Sequence, residues 1–150
     1  MNPEPLKHLQ KNFVSQTDSQ DYYVGDNVAK QLYYHALVPE GKVRGTLVLM
    51  PGSWESTEHV ISSTSQLCEM AYDSSLVVLV LSINQRLTMT DGIVQLMNEM
   101  FSDAMVRYKI PKNKIVIGGF SMGGLFSLRY TELANQDSTK TAFKPVAAFS

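Results

Sequence analysis

The chain has 150 residues, with 13 Lys and Arg against 14 Asp and Glu, for a net charge of -1. That balance excludes a chain built mainly to bind nucleic acid, which needs a surplus of cations to neutralise phosphates. A single cysteine, Cys68, excludes an internal disulfide framework and a multi-cysteine zinc site, and 44% hydrophobic residues exclude wholesale disorder.

In chain order, residues 1–20 are polar and are set apart as a segment without regular structure. No apolar stretch follows Met1 as a secretory signal would require, which points to the cytoplasm. Lys30 to Val38 is rich in β-formers and closes on Pro39-Glu40-Gly41, a turn in which Pro fixes φ and Gly permits φ > 0. It reads as a strand, paired with the Tyr22–Tyr23 segment in a hairpin-like start. Gly45 to Met50 is a continuous apolar run closed by Pro51-Gly52, the pattern of a strand buried on both faces. Leu76 to Ile83 is a second such run, Lys114 to Ile117 a third, and Pro145 to Phe149 a fourth. The longest of these apolar runs, Leu76 to Leu81, is too short to span a bilayer.

Helical patterns alternate with these runs. Glu58 to Tyr72 has moderate helical spacing. Asp91 to Tyr108 is stronger, with Ile93, Met97, Met100, Phe101, Ala104, Met105 and Tyr108 on one face, Thr90 as N-cap and Pro111 as the stop. Met122 to Asn135 is helical again, with Leu125, Leu128 and Leu133 expected to face inward. Buried strands alternating with amphipathic helices predict right-handed crossovers. The expected fold class is therefore three-layer α/β/α with a mostly parallel sheet.

Gly119-Phe120-Ser121-Met122-Gly123 has the pattern G-x-S-x-G, between a predicted strand and a predicted helix. That context separates a nucleophile-bearing turn from a chance match. A serine at the tip of so sharp a turn is lifted clear of the sheet, and side chains two positions to either side would collide with strand and helix. The first amides of the following helix then point toward a reacting carbonyl, where the helix dipole favours an oxyanion. The glycines do not fall in the dinucleotide-binding register, and the chain has no phosphate-binding P-loop motif.

The succession YYHALVPEG, GTLVLMPGSW, LVVLVLSIN and KIVIGGFSMGG resembles the N-terminal half of an α/β-hydrolase-fold serine hydrolase, of the esterase, dienelactone-hydrolase-like or peptidase-like kind. The resemblance covers roughly residues 20–150, so the chain divides into a polar segment 1–20 and the N-terminal part of a hydrolase domain, 21–150. It implies Ser121 as nucleophile and the Met122 amide as one oxyanion donor. The second donor comes from the Gly52-Ser53-Trp54 loop, where Pro51-Gly52 replaces the frequent His-Gly, and Ser53 and Trp54 are the candidates. It implies no metal and no organic cofactor. The expected partner is a small-molecule ester or, second, a peptide; the oligomeric state is left open.

A serine needs a base, usually a histidine oriented by a carboxylate. In this fold the order is Ser, then acid, then His. His8, His35 and His59 all precede Ser121, and the acids after it, Glu132 and Asp137, fall in or just past the next helix. The acid and histidine are expected beyond Ser150; the alternative is a catalytically silent hydrolase-like binding domain. His59 reads as a solvated helix-start histidine, His35 as a packing or surface residue, and Cys68 as an inert thiol. Trp54 reads as an aromatic wall of the substrate pocket or as simple packing. Asn84, Gln85 and Arg86 are candidates to touch substrate.

Overall fold

The computed structural model describes residues 2–18, 30–83 and 89–150. A short helix α1 (Pro3–Leu6) leads into strands β1 (Leu9–Gln16), β2 (Gln31–Leu37) and β3 (Gly45–Met50). Helices α2 (Thr57–Ser63) and α3 (Ser65–Asp73) cross to β4 (Leu76–Leu81), and α4 (Asp91–Tyr108) leads to β5 (Ile115–Gly119). Helix α5 (Met122–Gln136) and strand β6 (Ala147–Phe149) follow. Among the described residues these strands form one sheet in the order β1-β2-β4-β3-β5-β6. Strands β4, β3, β5 and β6 are parallel, while β1 and β2 extend the β4 edge antiparallel.

Strand β3 shows why the apolar runs become central strands. All of it is buried, and its residues alternate between two cores. Leu47 and Leu49 join Val78 and Val80 beneath α2 and α3, while Val48 and Met50 join Leu79 and Leu81 beneath α4 and α5. The second core holds the bulk of the aromatic packing, with Phe101 edge-on to both Tyr130 and Phe143. Each such side chain contributes roughly 1.5–3 kcal/mol by leaving water. Helix α4 begins as expected, with the Thr90 hydroxyl accepting from the Ile93 amide. It ends at Lys109, in left-handed geometry (φ 53°), before Pro111 is reached.

Three expectations are corrected. Residues within 1–20 are regularly structured: β1 pairs along β2 from Leu9–Leu37 to Gln16–Gln31. Its side chains add polar ties to two apolar contacts, Val14 against one core and Leu9 against the other. Asn12 donates to the Tyr108 hydroxyl (2.6 Å), Ser15 donates to Glu99 (3.1 Å), and the Lys11 ammonium sits 4.2 Å from the centre of the Tyr33 ring. The expected partner, Tyr22–Tyr23, lies outside the described residues. The single helix expected over 58–72 is broken at Thr64 (φ -111°, ψ 24°), whose hydroxyl donates to the Val60 carbonyl (2.6 Å) and competes with the helical ladder. In α5 the inward face carries Phe126, Tyr130 and Ala134, while Leu125 and Leu128 are each 47% exposed; Leu133 packs at the core margin. Among the described residues no helix is long and apolar enough to cross a membrane.

Candidate active site

Strand β5 ends at Gly119 and α5 starts at Met122, so the chain reverses through Phe120 and Ser121 alone. Ser121 adopts φ 55°, ψ -122°, a backbone region that L residues rarely enter. The flanking glycines explain how the turn closes. A Cβ on Gly119 would lie 2.4 Å from the Met50 carbonyl oxygen, and one on Gly123 only 2.0 Å from it and 2.8 Å from that of Pro51. Any side chain at either position would drive the turn off the end of β3. The buried Ser127 hydroxyl donates to the Gly123 carbonyl (2.7 Å) and ties the first turn of α5 from within. Serine before a helix usually caps it through its hydroxyl. Here Ser121 makes no capping bond and is exposed, while Gly123 donates instead to the Phe120 carbonyl (2.9 Å).

Beside this turn lies the loop that leaves β3, because β3 and β5 are parallel neighbours with Met50 opposite Gly119. Pro51 and Gly52 are buried; Ser53 is half-buried and Trp54 is exposed. Trp54 stands at φ 69°, in the left-handed region. The Glu55 amide donates to the Gly52 carbonyl (3.1 Å), and the Gly52 amide donates to Glu55 Oε2 (2.6 Å). A Cβ on Gly52 would sit 3.2 Å from the Phe120 carbonyl oxygen. Residues 51–54 and 119–123 are therefore packed together at one end of the sheet. Glu55 was not singled out by sequence reasoning. Its only signal is its place three residues after Gly52, which is not a motif. A cleft of about 190 Å³ runs alongside, lined by Leu49, Glu55, Val60, Leu67, Phe120 and Phe149 among others. Ser121 stands outside its lining.

The histidines divide sharply. His35 is buried on β2, its Nδ1 2.8 Å from the Thr57 hydroxyl at the start of α2. Thr57 donates its one proton to Glu58 Oε2 (3.1 Å), so His35 Nδ1 is the donor in their bond. Burial lowers the affinity of His35 for a second proton, and Lys11 adds to the effect; the attraction of Glu58, 3.9 Å away, opposes both and is outweighed. His59 is exposed on α2, with Nε2 3.5 Å from Glu55 Oε1. His8 lies 3.6 Å from Glu40 and packs near the Tyr72 ring. After Ser121, Glu132 pairs with Arg129 (2.5 Å). Asp137 is held below the usual carboxylate range by the Thr139 hydroxyl and amide. The Cys68 thiol is buried, and burial pushes its pKa up. Asn84, Gln85 and Arg86 lie outside the described residues. Among the described residues no group of three or more His, Cys, Asp or Glu side chains is placed to hold a metal ion.

A serine-bearing strand-to-helix turn, packed against the loop of the neighbouring parallel strand in a sheet flanked by helices, is the framework of the α/β-hydrolase fold, and the chain has that fold. It is similar to the structure of an arylesterase (TM-score 0.58, 16% identity), covering 93% of this chain and 44% of that one. It is similar to a fluorophosphonate-binding serine hydrolase of Staphylococcus aureus (TM-score 0.58, 15% identity), over 93% of this chain and 56% of that one. It is also similar to S-formylglutathione hydrolase from Staphylococcus aureus (TM-score 0.59, 17% identity), over 89% and 55%. The chain thus spans about half the length of these structures. No protein-family profile matches the sequence, and no curated protein matches it.

Proposed function

We propose that the protein is a serine hydrolase that cleaves an ester, and less readily a peptide, by acyl transfer through Ser121. The observation that carries this reading is the Ser121 backbone: φ 55°, ψ -122° at an exposed position between β5 and α5, with its hydroxyl withheld from the helix cap. Strain of this kind persists where surrounding packing imposes it, and it clusters at reacting groups. The arylesterase and the serine hydrolase among the similar structures support the same class of reaction.

In this reading the Ser121 hydroxyl attacks the ester carbonyl. The Met122 amide and an amide from Ser53 or Trp54 receive the oxyanion of the tetrahedral intermediate. A histidine beyond residue 150, oriented by a carboxylate, takes the hydroxyl proton and returns it to the leaving alcohol; water then releases the acyl group by the reverse path. His35 is unsuited to that role, because it is buried against Thr57. The exposed face of Trp54 provides a wall for the acyl or aryl part of a small substrate. The chemistry requires no metal or organic cofactor.

The test is labelling of the intact protein with a fluorophosphonate probe, beside hydrolysis of p-nitrophenyl esters, in the wild type and in Ser121→Ala. Labelling is expected to vanish in the variant, and turnover to fall by about 10⁶-fold toward the uncatalysed rate. A folded wild-type protein that takes no label and hydrolyses no ester would favour the rival reading, a catalytically silent domain that binds a small ligand or another protein.

A further inference from the structure

We infer that Glu55 is a positioning residue for the oxyanion loop: its carboxylate, closed on the Gly52 amide, sets the turn that presents the Ser53 and Trp54 amides beside Ser121. The inference rests on the reading of Ser121 as nucleophile.

Glu55 and Gly52 bond to each other twice. The main-chain bond runs from the Glu55 amide to the Gly52 carbonyl (3.1 Å), and the side-chain bond runs from the Gly52 amide to Glu55 Oε2 (2.6 Å). The second is charge-assisted and short, the stronger kind of hydrogen bond. Together they close a ring around Ser53 and Trp54, the two residues whose amides are candidates for the hole. Inside that ring Trp54 is held at φ 69°, a conformation that a residue with a Cβ leaves unless its surroundings impose it.

Gly52 is also closely packed where a Cβ would stand. A Cβ there would lie 3.1 Å from Glu55 Oε2 and 3.2 Å from the Phe120 carbonyl oxygen, one residue before Ser121. The Glu55 carboxylate and the Ser121 turn thus both lie against Gly52. Because the Gly52 amide is given to Glu55, the oxyanion donor of this loop falls to Ser53 or Trp54. An anionic side chain so near a developing negative charge works against catalysis unless its own charge is engaged. One oxygen of Glu55 takes the Gly52 amide, and His59 approaches the other at 3.5 Å.

The experiment uses the intact protein with Glu55→Ala and Glu55→Gln, and Ser121→Ala as control. Glu55→Ala is expected to lower kcat for a p-nitrophenyl ester about 10- to 100-fold with KM within about twofold, because a misplaced donor is felt mainly in the transition state. Glu55→Gln keeps an oxygen for the Gly52 amide and is expected to recover kcat to within about fivefold of wild type, since the neutral bond is roughly half as strong. The Gly52 amide proton, read by NMR, is expected far downfield in the wild type, less so in Glu55→Gln, and shifted upfield in Glu55→Ala. If Glu55→Ala does not fold, the Gln variant carries the same comparison through its Gly52 resonance and its smaller loss of kcat. A Ser121-dependent enzyme whose Glu55 variants keep the wild-type kcat and Gly52 resonance overturns this assignment alone. A wild type without esterase activity, or a Ser121→Ala variant that keeps it, overturns the Ser121 reading and this assignment with it.

Discussion

Two turns meet at the ends of β3 and β5, and each carries a non-glycine residue at positive φ, Trp54 at 69° and Ser121 at 55°. They are held by different means. The Ser121 turn is set by absence of bulk, with Gly119 and Gly123 pressed on the Met50 carbonyl at separations no Cβ tolerates. The Trp54 turn is set by a hydrogen bond from Gly52 to the Glu55 carboxylate, with Gly52 in looser contact. A steric constraint is met or violated. A hydrogen bond weakens by degrees and responds to its electrostatic surroundings. The residue proposed to react therefore sits on the unyielding turn, and the donors proposed to assist it sit on the adjustable one.

The sharpest way to break this contrast is to add one methyl group to each turn. Gly123→Ala places its Cβ 2.0 Å from a backbone oxygen and is expected to destabilise the fold by about 3 kcal/mol, the upper end for overpacking. Gly52→Ala, with nearest contacts of 3.1 and 3.2 Å, is expected to cost about 1 kcal/mol. Urea midpoints at constant m-value measure both. Equal losses would show that the two turns are constrained alike.

A smaller effect of opposite sign comes from releasing the strain. Ser121→Gly removes the Cβ that resists φ 55° and is expected to stabilise the protein by about 1 kcal/mol, net of the extra chain entropy of glycine, while abolishing fluorophosphonate labelling. Thermal melting compared with Ser121→Ala isolates the backbone contribution, because both variants lack the hydroxyl.

The smallest effect distinguishes the turns by pH. His35 bonds Thr57, at the start of the helix that follows the Trp54 turn, and burial depresses its pKa below the ordinary value of 6.5. The unfolded chain then binds the proton more readily than the folded one. Stability associated with neutral His35 is complete above about pH 6.5 and falls as pH drops through the depressed folded pKa. His35→Asn is expected to flatten that part of the stability–pH curve. A titration of His35 by NMR at or above 6.5 would overturn the sign.

What could be read from the residues depended on which force shaped each element. β3 runs from Gly45 to Met50 and α4 from Asp91 to Tyr108 as expected, since apolar runs and a 3.6-residue stripe reflect burial directly. β1 carries no such signal because the ladder to β2 and polar ties through Asn12 and Ser15 help to hold it, while its two core contacts, Leu9 and Val14, fall on different cores and leave no hydrophobic period. The inner face of α5 departs from its leucine spacing because the helix lies so close to the strand ends. Gly123, Gly124 and Ser127 occupy the contact there, and leucine is displaced outward. Ser121 was legible because two glycines around a serine express a steric need in composition itself. Glu55 was not, because a side chain that accepts an amide three residues back leaves no pattern that a surface carboxylate would lack.

The strand order also bears on how the chain reaches this state. β3 precedes β4 and β5 in sequence yet lies between them, and β4 separates it from β2, which precedes it. Met50 meets its partner Gly119 only across a long stretch of chain. The centre of the sheet is therefore assembled from distant pieces, whereas β1 and β2 and the crossover through α2 and α3 are comparatively local. Loop closure of that span comes before any reward from pairing, so folding should be limited by the docking of β5 on β3. Until that step the exposed edge of β3, apolar from Leu47 to Met50, is the part of the molecule most prone to pair with another chain.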